Sequence, residues 1–293
     1  MEFSEYLHRQ GYAKSSIEAY TRHQKFFARW CEQKGYSPTE MQYKDCLEYV
    51  KKLRREKPTK STVRHIVGAL KIYFNFLVEI EHRFDNPMQS INIRGISRTI
   101  NHNLLEFDEQ EDLYYSYQTE NLEPFDDISV AIRNKVIVGL MVYQGLSTTT
   151  LRALQYDHIQ LEKGRIYVPS TRKSNNRVLE LKPQQMIPII QYLEKYRELL
   201  QEKLHNYSND LFLCGTENFA LINRIFVKLK RINHKVTNNK QLRASVITHW
   251  LKKYNIREVQ YMSGHRYISS TERYLQDDLE NLHDLIENLH PIL

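Results

Sequence analysis

Apolar residues recur at helical spacing through the first hundred residues, and this periodicity is the strongest constraint on what the chain can fold into. Steps of three and four residues are typical of helices that pack one face into a core. Ser15 and Glu18 have the spacing of a capping box at the start of the first helix, and Gly35 predicts its end. The sequence has three sets of apolar residues at this spacing, each predicted to form the buried face of one helix. These apolar stripes are Ile17, Tyr20, Phe27, Trp30 and Cys31; Tyr43, Cys46, Leu47, Val50 and Leu53; and Val63, Ile66, Val67, Leu70, Phe74 and Leu77.

Strand signals are confined to one place. Residues 164–169 and 177–181 flank the polar stretch 170–176, which predicts a β-hairpin. Residues 183–205 and 219–234 are predicted to form further helices, and residues 132–142 are an apolar run interrupted by Arg133, Asn134 and Lys135. The fold class expected is therefore mainly α with a small β-sheet.

Length and composition narrow the class of protein. The 293 residues suffice for two domains, each with its own core. Neither a membrane-length apolar run nor a secretory signal is present. The three scattered cysteines, Cys31, Cys46 and Cys214, favour buried thiols in a reducing cytoplasm over disulfides or a metal site.

The charge distribution favours a polyanionic partner. The net charge is +7, and residues 1–107 hold 18 Lys and Arg against 12 Asp and Glu. Residues 108–127, by contrast, hold eight acids and no Lys or Arg. Basic surface is therefore expected on both sides of an acidic segment.

One stretch combines residues suited to phosphate chemistry. Arg243 keeps its charge near neutral pH and offers a planar set of donors that fits phosphate. His265 follows Gly264, which lets backbone approach a ligand closely. Tyr274, nine residues after His265, carries a phenol that can attack phosphorus when cations surround it. Together these side chains suit phosphoryl transfer through a tyrosine ester.

The order Leu242-Arg243, Gly264-His265, Tyr274 resembles the C-terminal signature of the tyrosine recombinases, the phage-integrase family. The resemblance is sharp from Arg243 to Tyr274 and looser before Pro87. It implies an N-terminal helical core-binding domain (1–92), a linker (93–104) that lets two domains close around a duplex, and a C-terminal α+β catalytic domain (105–293). The apolar stripe Leu279, Leu282, Leu285, Ile286 and Leu289 would be a C-terminal oligomerisation helix, docked either on its own domain or on a neighbour.

The resemblance also implies roles for residues. Tyr274 would form a 3′-phosphotyrosyl link to DNA while Arg243 and His265 hold the phosphate oxygens. Lys173 is the predicted donor of a proton to the departing 5′-oxygen, although an ungapped alignment from Arg177 puts Arg172 there. Lys240 stands where the family commonly has His, so it keeps a donor but loses a proton acceptor. Neither a metal nor a cofactor is implied.

One family position is substituted. After Gly145-Leu146, where the family has its first catalytic arginine, this chain has Ser147, and Thr150 stands where an acid is usual. On a helix Arg152 would lie about 140° around from Ser147. Three interpretations are open: a weakened recombinase, compensation by another cation such as Arg152 or Arg177, or DNA binding without cleavage.

Double-stranded DNA is the implied partner, bound by a homo-oligomer of two to four chains, with room for accessory DNA-bending proteins and no membrane association. The expected location is the bacterial cytoplasm, at the nucleoid. The basic residues predicted to contact DNA are Lys51, Arg55, Lys60, Arg64, Arg94, Arg98, Arg172, Arg177, Arg224, Lys228 and Arg266.

The predicted function is site-specific recombination or integration of DNA. Ser147 favours a mobile-element integrase or transposase over a chromosome resolvase of similar size. A type IB topoisomerase would share the chemistry but act alone on one duplex. A DNA-binding regulator is the non-enzymatic alternative, motivated by Ser147 and Lys240.

Overall fold

The computed structural model describes residues 1–57, 59–95, 103–120, 127–215 and 221–275. The chain is mainly helical with one small sheet, which confirms the predicted fold class. It divides into two compact units, residues 1–99 and 100–293. The linker predicted at 93–104 lies largely outside the described residues, as do Arg98 and the C-terminal stripe from Leu279, so the domain boundaries stay a prediction.

The N-terminal unit is a bundle of helices around an aromatic core. Its helices are α1 (Phe3–Arg9), α2 (Lys14–Lys34), α3 (Tyr43–Glu56) and α4 (Lys60–Glu79). Phe27 and Phe74 are fully buried at its centre, with ring centroids 5.8 Å apart. Their edge-to-face arrangement is one that aromatic pairs prefer. The predicted apolar stripes form this core, with the exception of Tyr43, which is exposed in the first turn of α3.

The ends of α2 test two local predictions. Gly35 closes the helix in the left-handed conformation, with φ +70°, as predicted. The predicted capping box is wrong: α2 begins at Lys14, its N-cap is Ala13, and Ser15 lies inside the first turn. A side-chain cap occurs instead at α4, where Thr59 Oγ1 accepts from the Thr62 N–H at 3.1 Å.

The C-terminal unit surrounds a small antiparallel sheet with helices. The sheet has the order β1 (Ile159–Gln160), β2 (Arg165–Val168), β3 (Arg177–Glu180). Strands β2 and β3 are the predicted hairpin, whereas β1 was not predicted. The helices are α5 (Phe107–Tyr115), α6 (Ile128–Val142), α7 (Thr148–Arg152), α8 (Pro183–Gln191), α9 (Arg197–Leu204), α10 (Leu221–Ile232), α11 (Asn239–Lys253) and α12 (Ile256–Ser263), and residues 269–275 are also helical.

Helix α6 is the centre of this unit and is buried on all sides. Its two cations are satisfied by backbone carbonyls. Arg133 Nη1 donates to the Leu213 carbonyl at 2.6 Å, and Lys135 Nζ donates to the carbonyls of Tyr114, in the last turn of α5, and of Tyr117, just beyond that helix. Burial lowers the pKa of Lys135 to about 8. Both cations therefore hold structure rather than face DNA.

The state of the cysteines, the apolarity of the helices and the grouping of possible metal ligands also bear on the class of protein. Cys31 and Cys46 are buried, and burial raises the pKa of each thiol to about 12. Within the described ranges, no helix has the length and apolarity needed to cross a bilayer. The same ranges hold no group of three or more His, Cys, Asp or Glu side chains placed to bind a metal ion.

Replacing Phe74 by Ala should lower the free energy of unfolding by about 3–5 kcal/mol, because a fully buried ring leaves a cavity in the N-terminal core. The matched control is Phe84→Ala, whose ring is fully exposed and whose loss should cost less than about 0.5 kcal/mol. Urea unfolding followed by circular dichroism measures both. Equal effects of the two substitutions would contradict the assigned core.

Candidate active site

Helix α11 presents Arg243 toward the turn that follows α12. Asn238 caps α11, its side chain accepting from the Gln241 N–H at 3.1 Å. The Arg243 guanidinium donates through Nη2 to the Ser263 carbonyl at 2.7 Å and through Nη1 to the Gly145 carbonyl. Two carbonyls from distant parts of the chain therefore hold the orientation of the guanidinium.

His265 lies beside Arg243. Its Nε2 is 3.4 Å from Arg243 Nη2, and its Nδ1 is 2.9 Å from Thr271 Oγ1. A guanidinium can only donate, so this network assigns an acceptor Nε2 and an Nδ1–H that donates to Thr271. Burial, then Arg243, Arg177 and Arg273, lower the pKa of His265 to about 4. The imidazole is therefore neutral at physiological pH.

Tyr274 completes the cluster from residues 269–275. Its ring lies parallel to the imidazole of His265, with centroids 5.8 Å apart and planes 6° apart. Burial lowers the pKa of Arg243, while a hydrogen bond and charge interaction with Tyr274 act in the opposite direction. The three motif residues thus meet in one place within a single chain.

The β2–β3 hairpin packs against the same turn. The Asn175 N–H donates to the Gly264 carbonyl at 2.9 Å, and Arg266 Nη2 donates to the Thr171 carbonyl at 2.9 Å. Arg172 and Lys173 are the exposed central residues of the tight turn between Thr171 and Ser174. The hairpin tip is thereby attached next to His265, which keeps Arg172 and Lys173 near the site.

Ser147 has a structural role in place of the family arginine. Its Oγ accepts from the Thr150 N–H at 3.2 Å and caps α7. Arg152 lies exposed at the other end of this helix. Burial raises the pKa of the Cys214 thiol, and the charges of Arg133 and Arg152 offset part of that rise. Arg177, expected as a surface contact to DNA, is instead 2% exposed and lies behind Gly264.

Glycine at 145 and 264 allows the close approaches that build the site. Gly145 has φ +57°, and a Cβ there would lie 3.1 Å from Val246 Cγ1 on α11. Gly264 has φ +71°, and a Cβ there would overlap the guanidinium of Arg177. Both positions lie in the left-handed region, which side chains rarely adopt.

The other predicted DNA contacts are distributed over exposed helix faces. Lys51 and Arg55 are one turn apart on α3, and Lys60 and Arg64 are one turn apart on α4. On α10, Arg224 and the half-buried Lys228 lie away from the buried Ile222, Ile225, Phe226 and Leu229. Lys240, Arg94 and Arg266 are exposed.

Sequence reasoning missed the groups that orient the site. Thr271 was not selected, although its position three residues before Tyr274 puts both on one face of a helical turn. The acceptors of Arg243, the carbonyls of Gly145 and Ser263, have no side-chain signal at all. Arg177 did carry a signal, because Leu179 on β3 and Leu181 just after that strand alternate with Arg177 and are buried in the core.

Comparison with protein families decides the classification. Residues 104–281 match the phage integrase family, and residues 1–83 match the phage integrase N-terminal SAM-like domain. The chain belongs to the phage integrase family. The predicted membership among the tyrosine recombinases is therefore confirmed.

Characterised relatives agree with this placement. The chain is 27% identical to the tyrosine recombinase XerA of Pyrococcus horikoshii, over 92% of this chain and 86% of that protein. It is 29% identical to XerA of Pyrococcus furiosus with the same coverage. Identity to XerD of Listeria monocytogenes is 24%, over 90% of this chain and 88% of that protein.

Solved structures share the fold at lower identity. The XerH site-specific recombinase bound to a palindromic difH substrate superposes with a TM-score of 0.67 at 19% identity, covering 92% of this chain and 78% of that one. The Tn1549 transposon integrase with transposon right-end DNA gives a TM-score of 0.62 at 16% identity, covering 98% and 97%. This chain and the two solved structures thus share the two-part architecture of the family.

Acid should destabilise the protein through His265. Its pKa is about 4 when folded and about 6.5 when unfolded, so the unfolded chain binds the extra proton in between. Stability is then lost as the pH falls from about 6.5 to 4, by an amount on the order of 1–3 kcal/mol. Thermal unfolding across this pH range measures the effect. The Tm of His265→Gln should fall less with decreasing pH than the Tm of the wild type.

The exposed His234 provides the control for this titration. His234→Gln should retain the pH dependence of the wild type, because its imidazole is in contact with solvent in both states. If His265→Gln and His234→Gln behaved alike, the assignment of a buried neutral imidazole at 265 would be wrong.

Proposed function

We propose that this protein is a site-specific DNA recombinase that cuts and rejoins strands through a 3′-phosphotyrosyl ester at Tyr274. The observation that carries the proposal is the Tyr274 ring stacked on His265 beside the Arg243 guanidinium. A phenol, a neutral imidazole and a fixed cation in contact are what attack on a phosphodiester requires.

In the cleavage step the Tyr274 oxygen attacks the scissile phosphorus and the bond from phosphorus to the 5′-oxygen breaks. The phenol proton passes to His265 Nε2, which is an acceptor in the tautomer assigned above. A phosphodiester beside His265 adds negative charge, which raises the pKa of the imidazole from its low value and makes proton uptake easier. Arg243 stabilises the charge that develops on the non-bridging oxygens.

The leaving 5′-oxygen takes a proton from a cation at the hairpin tip. Lys173 is the proposed donor because an ammonium can release a proton, whereas the guanidinium of Arg172 effectively cannot. A 5′-hydroxyl from a partner duplex then attacks the phosphotyrosine, returns the phenol and restores a phosphodiester. The ester retains the bond energy, so the cycle is balanced without a nucleotide or redox cofactor.

Double-stranded DNA and self-association are proposed on the same basis. Structures of related fold include a λ integrase dimer on a core site and a λ integrase tetramer on a Holliday junction. We propose an equivalent ring of this chain on DNA in the bacterial cell. The serine at 147 and the likeness to a transposon integrase support a role in a mobile element, in preference to chromosome resolution.

Covalent trapping tests the chemistry. A DNA substrate nicked close to the scissile phosphate should accumulate a protein–DNA adduct, because the released short 5′-hydroxyl strand diffuses away and cannot reverse the ester. Denaturing electrophoresis of the adduct measures the yield. Tyr274→Phe should abolish the adduct, since the phenylalanine ring lacks the attacking oxygen.

The matched control is Tyr254→Phe, which removes an exposed phenol at the end of α11. It should leave the adduct unchanged. Binding without any adduct would support the regulator instead, and supercoil relaxation by monomers without strand exchange would support a topoisomerase.

Salt dependence tests the DNA-binding role of the N-terminal unit. Each phosphate neutralised releases counterions, so binding should weaken steeply with salt. Lys51→Gln/Arg55→Gln should lower the slope of log K against log salt by about 2, because each substitution leaves one phosphate without its cation. Fluorescence anisotropy with labelled duplex at several salt concentrations measures the slope.

Arg9→Gln/Lys34→Gln is the control, because these cations already pair with Glu79 and Glu48. It removes the same charge and should change the slope by less than the α3 pair. Equal slopes for both double variants would argue against α3 as a DNA-contacting face.

A further inference from the structure

Arg177 is a buried arginine within the proposed active site. It is the first residue of β3, where alternation turns its side chain inward together with Leu179. Its guanidinium lies directly behind Gly264, so closely that a Cβ at 264 would be 2.9 Å from Cζ. Only a glycine at 264 therefore lets Arg177 occupy this place beside His265.

The charge of Arg177 adds to that of Arg243. Burial first, and Arg243 second, lower the pKa of Arg177 to about 9, so it keeps its proton at neutral pH. Arg177 and Arg243 together also lower the pKa of His265. The neighbourhood is strongly positive, and in the described part of the chain neither guanidinium is ion-paired with a carboxylate.

The hydrogen bonding of Arg177 differs from that of the buried cations that hold structure. Arg83, Arg133 and Lys135 each donate to backbone carbonyls at ordinary distances. Arg177 Nη1 makes one long bond, 3.3 Å, to the Asn175 carbonyl. Its Nε and Nη2 are buried without an acceptor among the described residues. A charge buried in this way is costly unless an anion compensates it.

The protein also lacks a cation where its family has one. Ser147 occupies the position of the first catalytic arginine and is used as the cap of α7. Arg152 is exposed at the other end of that helix. The sequence offers Arg152 and Arg177 as substitutes for this cation. Of these two, Arg177 is the one that interacts electrostatically with Arg243 and lowers the pKa of His265.

We propose that Arg177 supplies the second positive charge of the phosphate site, in place of the arginine that Ser147 replaces. It acts on the bound phosphodiester by its charge from behind the Gly264 turn, and Arg243 faces the same phosphate. This inference rests on the proposed recombinase function and deepens it. The compensation comes from a different element of the fold, the hairpin strand β3, and not from a nearby position in the sequence.

Single-turnover cleavage of the nicked substrate tests the role. Arg177→Met keeps an unbranched apolar side chain but removes the guanidinium and its charge, so cleavage should slow by about 100-fold or more. Arg177→Lys keeps the charge and should retain most of the rate. Ser147→Arg added to Arg177→Met should raise the cleavage rate at least about tenfold over Arg177→Met alone, because it returns a cation to the family position.

Thermal stability separates this role from a structural one. Because Arg177→Met removes a buried unpaired charge, it should leave Tm unchanged or raise it while cleavage falls. If Arg177 only held Asn175 and Gly264 in place, Arg177→Met would lower Tm, and Ser147→Arg would not restore cleavage. Either of these results would overturn the proposal.

A second measurement does not depend on cleavage. In the DNA-free protein, inorganic phosphate should raise the NMR-measured pKa of His265, because the anion offsets the surrounding cations. The rise should be at least halved in Arg177→Met. An equal rise in both proteins, or none in the wild type, would overturn the proposal. A wild type that responds to phosphate but forms no adduct would contradict the recombinase function alone.

Discussion

The concentration of positive charge around His265 is the constraint on which the site depends. Burial is the main cause that lowers the pKa of this imidazole, and the charges of Arg243, Arg177 and Arg273 lower it further. In water these charges would be screened, but here the surrounding protein excludes solvent and strengthens their fields. The folded protein therefore holds a neutral histidine beside adjacent cations, and the phosphodiester of the proposed substrate would supply the anion that offsets their charge.

Several distant segments cooperate to hold this arrangement. The carbonyls of Gly145 and Ser263 orient Arg243, Thr271 orients His265, and the hairpin is joined to Gly264 through Asn175. None of these contacts is strong alone, since a hydrogen bond contributes about 1 kcal/mol net. Together they fix the orientation of Arg243 and His265 and the position of the hairpin, because each contact removes one way in which a group could turn out of the cluster.

Much of the fold could be predicted from the sequence, and the failures have physical causes. Helical stripes and the end of α2 at Gly35 were predicted because burial and left-handed backbone leave local signals. The capping box at Ser15 failed because the helix begins at Lys14, two residues before the start that a Ser15 cap would give, and has no side-chain cap. Strand β1 was missed because two residues are too few to show alternation, and its pairing with β2 forms it.

The sequence by itself determined the fold class and the order Arg243, His265, Tyr274, because apolar periodicity and motif spacing are local properties. It also determined that residue 147 lacks a cation. Only the tertiary structure brings Arg177 beside Arg243 and His265, where we propose that it supplies the missing charge. The side chain of Arg177 reaches the site because β3 pairs with β2 and because the hairpin packs on the distant Gly264 turn, where the Asn175 N–H donates to the Gly264 carbonyl. Such proximity depends on how elements pack, and no local pattern encodes it.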